Sequence, residues 1–133
     1  MKLLTKNSDY AIRALLVLAR DTKAFISARQ IAKEQNIPYQ FLRRILQELI
    51  RNKLVISREG SGGGVRINKS PKRIKASEII KIFQGDICIS ECMFRRDICQ
   101  NRMKCTLRKQ IQRIERIVRE EFTGITILSL LKK

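Results

Sequence analysis

Apolar residues recur at helical spacing through the first third of the chain. In residues 8–20 they occupy positions 11, 12, 14, 15, 16, 18 and 19, which predicts a helix buried on most of its sides. A shorter helix is predicted over residues 27–35, where it opens with a Ser-x-x-Gln capping box. An Asn-Ile-Pro break at residues 36–38 ends it, and a longer helix then runs to about Asn52. This order of elements predicts a helix-turn-helix unit.

Residues 54–67 are predicted to form two short strands joined by a glycine-rich turn. Residues 54–56 and 65–67 are rich in Val, Leu and Ile, and residues 60–64 read Gly-Ser-Gly-Gly-Gly. A β-hairpin directly after a helix-turn-helix predicts a winged helix. Neither a Lys-Ser/Thr pair nor a helical pattern follows the glycines, which argues against a nucleotide-binding loop.

Two further amphipathic helices are predicted in the second half of the chain. The first covers residues 75–85 and ends at Gly85. The second covers residues 106–122, where apolar residues step by four, three and four. These seam residues are Leu107, Ile111, Ile114 and Val118. A seam of this coiled-coil type predicts self-association, and a last short helix is predicted to start at Thr126.

Together these elements predict a mainly α (α+β) fold, a winged helix-turn-helix domain with a long C-terminal dimerisation helix. Residues 1–75 form the predicted DNA-binding region. Residues 76–133 hold a cysteine sensor loop, residues 88–105, and the dimerisation helix. Because 133 residues support one hydrophobic core, both regions are expected to form one compact domain.

The charge balance narrows the class of partner. Lysine and arginine total 29 against 12 acidic residues, a net charge of +17. Such an excess repels itself unless an anionic partner neutralises it, and nucleic acid is the usual one. Glutamine and arginine suit base edges of the major groove, and a glycine-rich tip brings its backbone close to DNA. The predicted DNA-binding residues are Arg29, Tyr39, Gln40, Arg43, Arg44, Arg58, Ser61, Gly62, Gly63 and Arg66.

Membrane and enzyme classes fit this sequence poorly. No segment approaches the roughly 18 apolar residues that span a bilayer, and polar and charged residues begin again at Thr5, too soon for a secretory signal. We therefore expect a cytoplasmic protein without a membrane partner. The chain contains no histidine, no Ser/Asp nucleophile arrangement and no nucleotide loop, so we expect no enzyme activity.

All four cysteines lie within residues 88–105. In a cytoplasmic protein such a cluster indicates metal binding or redox sensing more often than a disulfide. Structural zinc sites prefer C-x2-C pairs, whereas the closest pair here, Cys88 and Cys92, is C-x3-C. The wide spacing favours an iron–sulfur cluster, with zinc and a cluster-free thiol switch as the alternatives.

With these motifs the chain resembles the Rrf2 family of winged-helix transcriptional regulators, which includes IscR, NsrR and CymR. The resemblance rests on the first helix in residues 3–19, the helix-turn-helix in residues 26–55, the wing in residues 57–71 and the helix in residues 76–85. It implies a homodimer that binds an imperfect palindrome in double-stranded DNA, with each wing reaching a minor groove. Departures from the family pattern are Glu59, where arginine is common, and Val65, where an aromatic residue is usual.

The resemblance also implies which residues hold a metal. In cluster-bearing members three loop cysteines ligate a 4Fe–4S or 2Fe–2S cluster, and the matching residues are Cys92, Cys99 and Cys105. Arg108 occupies the position where some members have a histidine ligand. The fourth ligand is therefore expected to be Cys88 or, from the partner subunit, Asp9. The alternatives are a helix-stabilising role for Asp9 and a small buried apolar role for Cys88.

The implied function is a transcriptional regulator, and we expect a repressor. Redox state, nitric oxide, iron or cluster supply is the expected signal, and loss of the cluster is expected to shift the dimer away from its DNA-binding geometry. One alternative is a cluster-free regulator of the CymR kind, controlled by a thiol or by a partner protein. A metal carrier or interaction module is the other alternative.

Overall fold

The computed structural model describes residues 2–89 and 104–132 of the chain. The helices are α1 (Lys6–Ala19), α2 (Ala28–Gln35), α3 (Tyr39–Arg51), α4 (Ala76–Gln84), α5 (Thr106–Gly124) and α6 (Ile127–Leu131). The strands are β1 (Val55–Arg58) and β2 (Gly64–Ile67), and a 3-10 turn covers Pro71–Arg73. This mostly helical chain with one small antiparallel sheet confirms the predicted winged helix-turn-helix fold.

Helix α1 is the centre of the core and contacts α2, α3, α4, α6 and β2. Its buried side chains are Ser8, Ala11, Ala14, Leu15, Val17, Leu18 and Ala19. The small residues among them let neighbouring helices approach closely, while each fully buried Leu or Val contributes about 1.5–3 kcal/mol of burial free energy. Helix α3 packs Leu42, Ile45, Leu46 and Leu49 against this core, so the polar face of α3 is directed outward.

The turn between α2 and α3 forms as the sequence predicts. The Ser27 hydroxyl accepts a hydrogen bond from Gln30 N and begins α2. Asn36 adopts a left-handed conformation with φ 54° and ends α2, because its backbone N–H bonds back to the carbonyls of the last turn. Pro38 then precedes the first turn of α3, where its fixed φ suits a helix start.

The wing is tied to the helix-turn-helix by a third extended segment. Strands β1 and β2 are antiparallel, with Val55 opposite Ile67. Ile26 pairs with Val65 through two backbone hydrogen bonds of 2.9 Å, directly before α2. Gly64 is required at this join, because its φ is +137° and a Cβ atom would lie 2.4 Å from the Ile26 carbonyl oxygen.

Helix α5 packs differently from the other helices. It lies against α4, and α6 returns to the start of α4 through the bond from Ile127 N to Ile74 O at 2.9 Å. The one residue of α5 described as buried is Glu115, whereas Leu107, Ile114 and Ile117 are 66%, 50% and 47% exposed.

The predicted seam residues of α5 lie along one face of the helix but differ in exposure. Ile111 and Val118 are half-buried and lie on the same side as Glu115, facing their own protomer. Leu107 and Ile114 remain exposed, and Ile117 joins them at helical spacing. The four seam residues fall within about 60° around the helix, because steps of four and of seven both return close to the starting direction at 3.6 residues per turn. Ile111 and Val118 lie at the edge next to Glu115, and Leu107 and Ile114 lie toward Ile117.

Among the helices of residues 2–89 and 104–132, none has the length and apolar content to cross a membrane.

Candidate DNA-binding surface and sensor segment

The outward face of α3 carries polar side chains at helical spacing. Gln40 and Arg43, both predicted DNA-binding residues, are exposed on this face. Gln47 and Arg51 continue it at the following turns. Gln47 was not predicted, although its position seven residues after Gln40 marks it as part of the same stripe.

Tyr39 holds two arginines at the start of this face. The Arg29 Cζ atom lies 4.2 Å from the Tyr39 ring centroid, and the Arg43 Cζ atom lies 5.8 Å from it. A guanidinium over an aromatic face is attracted by the ring quadrupole and keeps its N–H edge available for other partners. The three residues were predicted separately, and the structure brings them together.

The wing repeats this arrangement with a residue that was not predicted. The Arg58 and Arg66 Cζ atoms lie 4.1 Å and 4.9 Å from the Phe25 ring centroid. Arg58 Nη2 also donates a 2.8 Å hydrogen bond to Gly62 O at the wing tip. No motif signals Phe25 in the sequence, because it approaches the wing only through the pairing of the next residue, Ile26, with β2.

The tip of the wing is a tight glycine turn. Gly63 N donates to Gly60 O at 3.0 Å, and a Cβ atom on Gly63 would lie 2.2 Å from the Arg58 carbonyl oxygen. Ser61 and Gly62 are exposed at the end of the turn. The predicted tip residues therefore form an accessible backbone surface beside the wing arginines.

Arg44 lies toward a cavity on the α4 side of α3. The cavity has a volume of about 160 Å³. Its lining residues are Asn7, Phe41, Arg44, Ile45, Glu48 and Phe83. Arg44 is exposed, so it remains available to DNA, but its position differs from that of the Tyr39 pair.

Asp9 is connected to both helices of the helix-turn-helix. Its Oδ2 atom accepts hydrogen bonds from Arg13 Nη2 at 2.8 Å and Nε at 3.2 Å. Arg13 Nη1 donates to Gln35 O at 3.2 Å, at the end of α2. Arg13 also lies 4.9 Å from the Tyr10 ring, and that ring meets Phe41 of α3 edge-on at 5.4 Å.

The start of the cysteine segment (residues 88–105) is bonded to α5 by the ion-paired side chains of Glu115 and Arg119. Arg119 Nη2 bonds to Glu115 Oε1 at 2.8 Å and to the Ile87 carbonyl oxygen at 2.8 Å. Ile89 N donates to Glu115 Oε2 at 3.5 Å, so backbone groups on both sides of Cys88 are engaged. Burial, and then the Glu115 carboxylate, raise the pKa of the Cys88 thiol, while Arg119 opposes them.

Cys105 occupies the other end of the segment. It is the N-cap residue of α5, and its Sγ atom accepts a hydrogen bond from Arg108 N at 3.4 Å. A helix N-terminus is a favourable place for the negative sulfur of a metal-bound thiolate. Cys92 and Cys99 lie outside the described residues. Across the described ranges, no three Cys, Asp or Glu side chains converge as a metal site.

Gln84 joins the start of α1 to the end of α4, just before the cysteine segment. Its Oε1 atom accepts hydrogen bonds from Thr5 N at 2.9 Å and from the buried Ser8 hydroxyl at 2.6 Å. Its Nε2 atom donates to Leu3 O at 3.2 Å. Sequence reasoning missed this residue, because its partners lie more than seventy positions away in the chain.

A family model described as "Rrf2: Iron-dependent Transcriptional regulator" matches residues 4–133. The chain belongs to the Rrf2 family. Among curated relatives, the HTH-type transcriptional regulator NsrR of Shouchella clausii is 33% identical over 93 residues, which covers 69% of this chain and 62% of that protein.

Solved structures of other proteins have the same fold as this Rrf2-family chain. T. potens IscR superposes with a TM-score of 0.79 at 21% identity, covering 99% of this chain and 87% of that one. CymR (YrzC), the global cysteine regulator of B. subtilis, superposes with a TM-score of 0.81 at 22% identity, covering 98% and 97%. The family assignment makes the chain a transcriptional regulator with a DNA-binding winged helix. Its individual DNA and metal contacts stay predictions.

Proposed function

We propose that this Rrf2-family regulator is a homodimeric repressor that binds an imperfect DNA palindrome and responds to an iron–sulfur cluster on its cysteine segment. The observation that carries the DNA-binding part is the pair of arginine–aromatic clusters, one on Tyr39 and one on Phe25. They lie on the two elements, helix α3 and the wing, with which a winged helix contacts DNA.

The charge and geometry of this surface support contact with phosphate and with bases. Gln40 and Gln47 can each pair with adenine, and Arg43 can pair with guanine. Arg29, Arg58 and Arg66 have guanidinium edges suited to phosphate oxygens. Arg29 and Arg43 lie near the same Tyr39 ring. The ring would therefore hold the side chain proposed for DNA phosphate, Arg29, close to the side chain proposed for bases, Arg43.

The exposed side of α5 supports the dimer. Leu107, Ile114 and Ile117 form an exposed apolar stripe on a helix whose adjacent face packs on its own protomer. Two copies of such a stripe can cover each other in an isologous contact. This would fix the separation of the two α3 helices, and hence the spacing of the two half-sites.

The cysteine set suits an iron–sulfur cluster held by Cys92, Cys99 and Cys105, with Cys88 or the partner subunit's Asp9 as fourth ligand. Cys105 supports this assignment through its place at the start of α5. Cys88 is a less favourable thiolate, since burial and Glu115 raise its pKa. Asp9 is 44% exposed and ion-paired with Arg13, so it can change partners. When bound, the cluster would supply iron that reacts with oxygen or nitric oxide.

The contacts of Arg13 offer a route from Asp9 to the DNA-binding helices. When Asp9 leaves Arg13, the guanidinium keeps its bond to Gln35 O but loses its partner on α1. Tyr10, which lies against Arg13 and against Phe41, connects the same point to α3. A change at Asp9 would therefore bias the orientation of both helices, as a population shift requires.

The decisive experiment combines cluster analysis with DNA titration. Protein purified without air is examined by absorption spectroscopy with iron and sulfide counts, and is titrated with duplex DNA before and after cluster removal. We expect a coloured protein, a DNA affinity that falls steeply with salt, and different affinities for the holo and apo forms. Cys88→Ala and Asp9→Ala then assign the fourth ligand, because only the true ligand's loss depletes the cluster.

Other outcomes identify the alternatives. A colourless protein that binds DNA, with affinity changed by thiol oxidation or by a partner protein, indicates a cluster-free regulator of the CymR kind. Zinc without sulfide indicates a zinc site. Weak, salt-insensitive DNA binding would contradict the regulator proposal as a whole and would support a metal carrier or interaction module.

A further inference from the structure

We propose that Phe25 is a positioning residue that holds Arg58 and Arg66 ready for the DNA backbone. This inference rests on the proposed DNA binding. It assigns a role to a residue that no DNA-binding motif includes and that contacts DNA only through the two arginines.

The surroundings of Phe25 differ from those of an ordinary buried phenylalanine. Its side chain is half-buried, yet it is not among the side chains packed against the hydrophobic core of the described residues. Its ring lies against the guanidinium groups of Arg58 and Arg66, the arginines of the wing.

Two guanidinium groups near one ring repel each other, so an attractive interaction must hold them there. They carry like charge, and within the described residues neither has a carboxylate partner in an ion pair. The negative face of the phenyl ring attracts both guanidinium groups and offsets part of this repulsion. The arginines keep their N–H edges for an anion, and less side-chain entropy is lost when that anion binds.

The backbone next to Phe25 fixes the ring to the wing and to the helix-turn-helix together. Ile26 is bonded in both directions to Val65 of β2, and Ser27 caps α2. Phe25 thus stands at the junction of the two DNA-contacting elements. Replacing its ring removes the surface against which the wing arginines lie, while the backbone pairing of Ile26 remains.

The test measures binding of a duplex that the wild-type protein selects from a random-sequence pool. Phe25→Leu keeps an apolar side chain of similar size without the π face, and we expect about five- to thirtyfold weaker binding, equivalent to two cation–π contacts. Phe25→Trp keeps the π face and should bind the duplex about as tightly as the wild-type protein, because tryptophan is the strongest cation–π partner. Phe122→Leu, a half-buried phenylalanine of α5 on the side facing its own protomer, serves as the matched control and leaves binding unchanged.

A double-mutant cycle separates positioning from a general loss of structure. In an Arg58→Ala/Arg66→Ala background, Phe25→Leu should cause no further loss of affinity, because the arginines that the ring positions are gone. Wild-type affinity for Phe25→Leu, failure of Phe25→Trp to rescue, or an undiminished loss in the double-alanine background would each overturn the inference. If the wild-type protein selects no duplex at all, the proposed function fails first, and the inference with it.

Discussion

Helices α3 and α5 are both basic and amphipathic, but they use their apolar residues in opposite ways. Helix α3 directs Leu42, Ile45, Leu46 and Leu49 into the core, each no more than 3% exposed. Helix α5 is longer, at 19 residues against 13, yet Glu115 is the one residue of α5 described as buried. Its large apolar side chains Leu107, Ile114 and Ile117 face outward.

The contrast shows where each helix finds its partner. Helix α3 is held by its own protomer, so only its polar face is free, and a polar, arginine-rich face suits DNA. Helix α5 is held on one side by α4 and by the bonds of Arg119 and Glu115 to Ile87 and Ile89, so its exposed apolar side is the surface proposed for a second copy. The proposed DNA surface and the proposed dimer surface therefore lie on different helices of the chain.

The largest predicted effect concerns the outward side of α5. Ile114→Glu places one carboxylate from each protomer in the proposed apolar contact, and we expect dimer affinity to fall by at least about a hundredfold. Gln112→Glu is the matched control. It adds the same charge two residues away, on the opposite side of the helix, and should leave the dimer intact. Analytical ultracentrifugation measures both variants. An unchanged dimer in Ile114→Glu would place the self-association surface elsewhere.

A smaller effect is expected in the wing, without change of oligomeric state. Gly64→Ala brings a Cβ atom against the Ile26 carbonyl oxygen at a backbone φ of +137°, and we expect a loss of about 2–4 kcal/mol of unfolding free energy. Gly62→Ala is also strained at φ +76°, but nothing lies within 4 Å of its Cβ, so its loss should be about 1–2 kcal/mol. Urea unfolding gives both values. Equal losses of unfolding free energy in the two variants would show that the close approach of Ile26 to Gly64 is not the reason for a glycine at position 64.

Periodicity and turn chemistry predicted the elements that are stabilised by local sequence. Ser27, Asn36 and the wing glycines act where they were expected, because caps and turns depend on neighbouring residues. The α5 seam was predicted less well. Spacing alone could not decide which apolar residues face α4, so Ile111 and Val118 were grouped with Ile114.

Residues whose role depends on distant contacts could not be predicted from local pattern. Phe25, Gln84 and Glu115 act through partners that lie 26 to 81 positions away in the chain. Gln47 is different, because the helical stripe from Gln40 already marks it. The domain boundary near residue 75 and the ligand roles of Cys92 and Cys99 stay predictions.

The smallest predicted effect concerns the alkylation rate of Cys88, which lies beside the buried Glu115 of α5 at the start of the cysteine segment. Burial and the Glu115 carboxylate raise the pKa of the Cys88 thiol, so at pH 8 less thiolate forms and alkylation is slower than for an ordinary thiol. Glu115→Gln removes the second cause and should speed alkylation by about threefold at that pH. Arg119→Gln removes a cation that lowers the pKa, so it should slow the reaction.

The measurement is the rate of iodoacetamide labelling of the Cys88 peptide against pH, by mass spectrometry, on apo protein held with a chelator. Glu121→Gln provides the control, because Glu121 is an exposed acid that is not among the groups raising the Cys88 pKa. Opposite shifts for Glu115→Gln and Arg119→Gln, with none for Glu121→Gln, would show that α5 sets the chemistry of Cys88. Faster labelling in both Glu115→Gln and Arg119→Gln would instead mean that the Glu115–Arg119 pair acts by limiting access of the reagent to Cys88. The side of α5 that packs on its own protomer would then act on the cysteine segment by packing alone, and its exposed side would remain the proposed dimer surface.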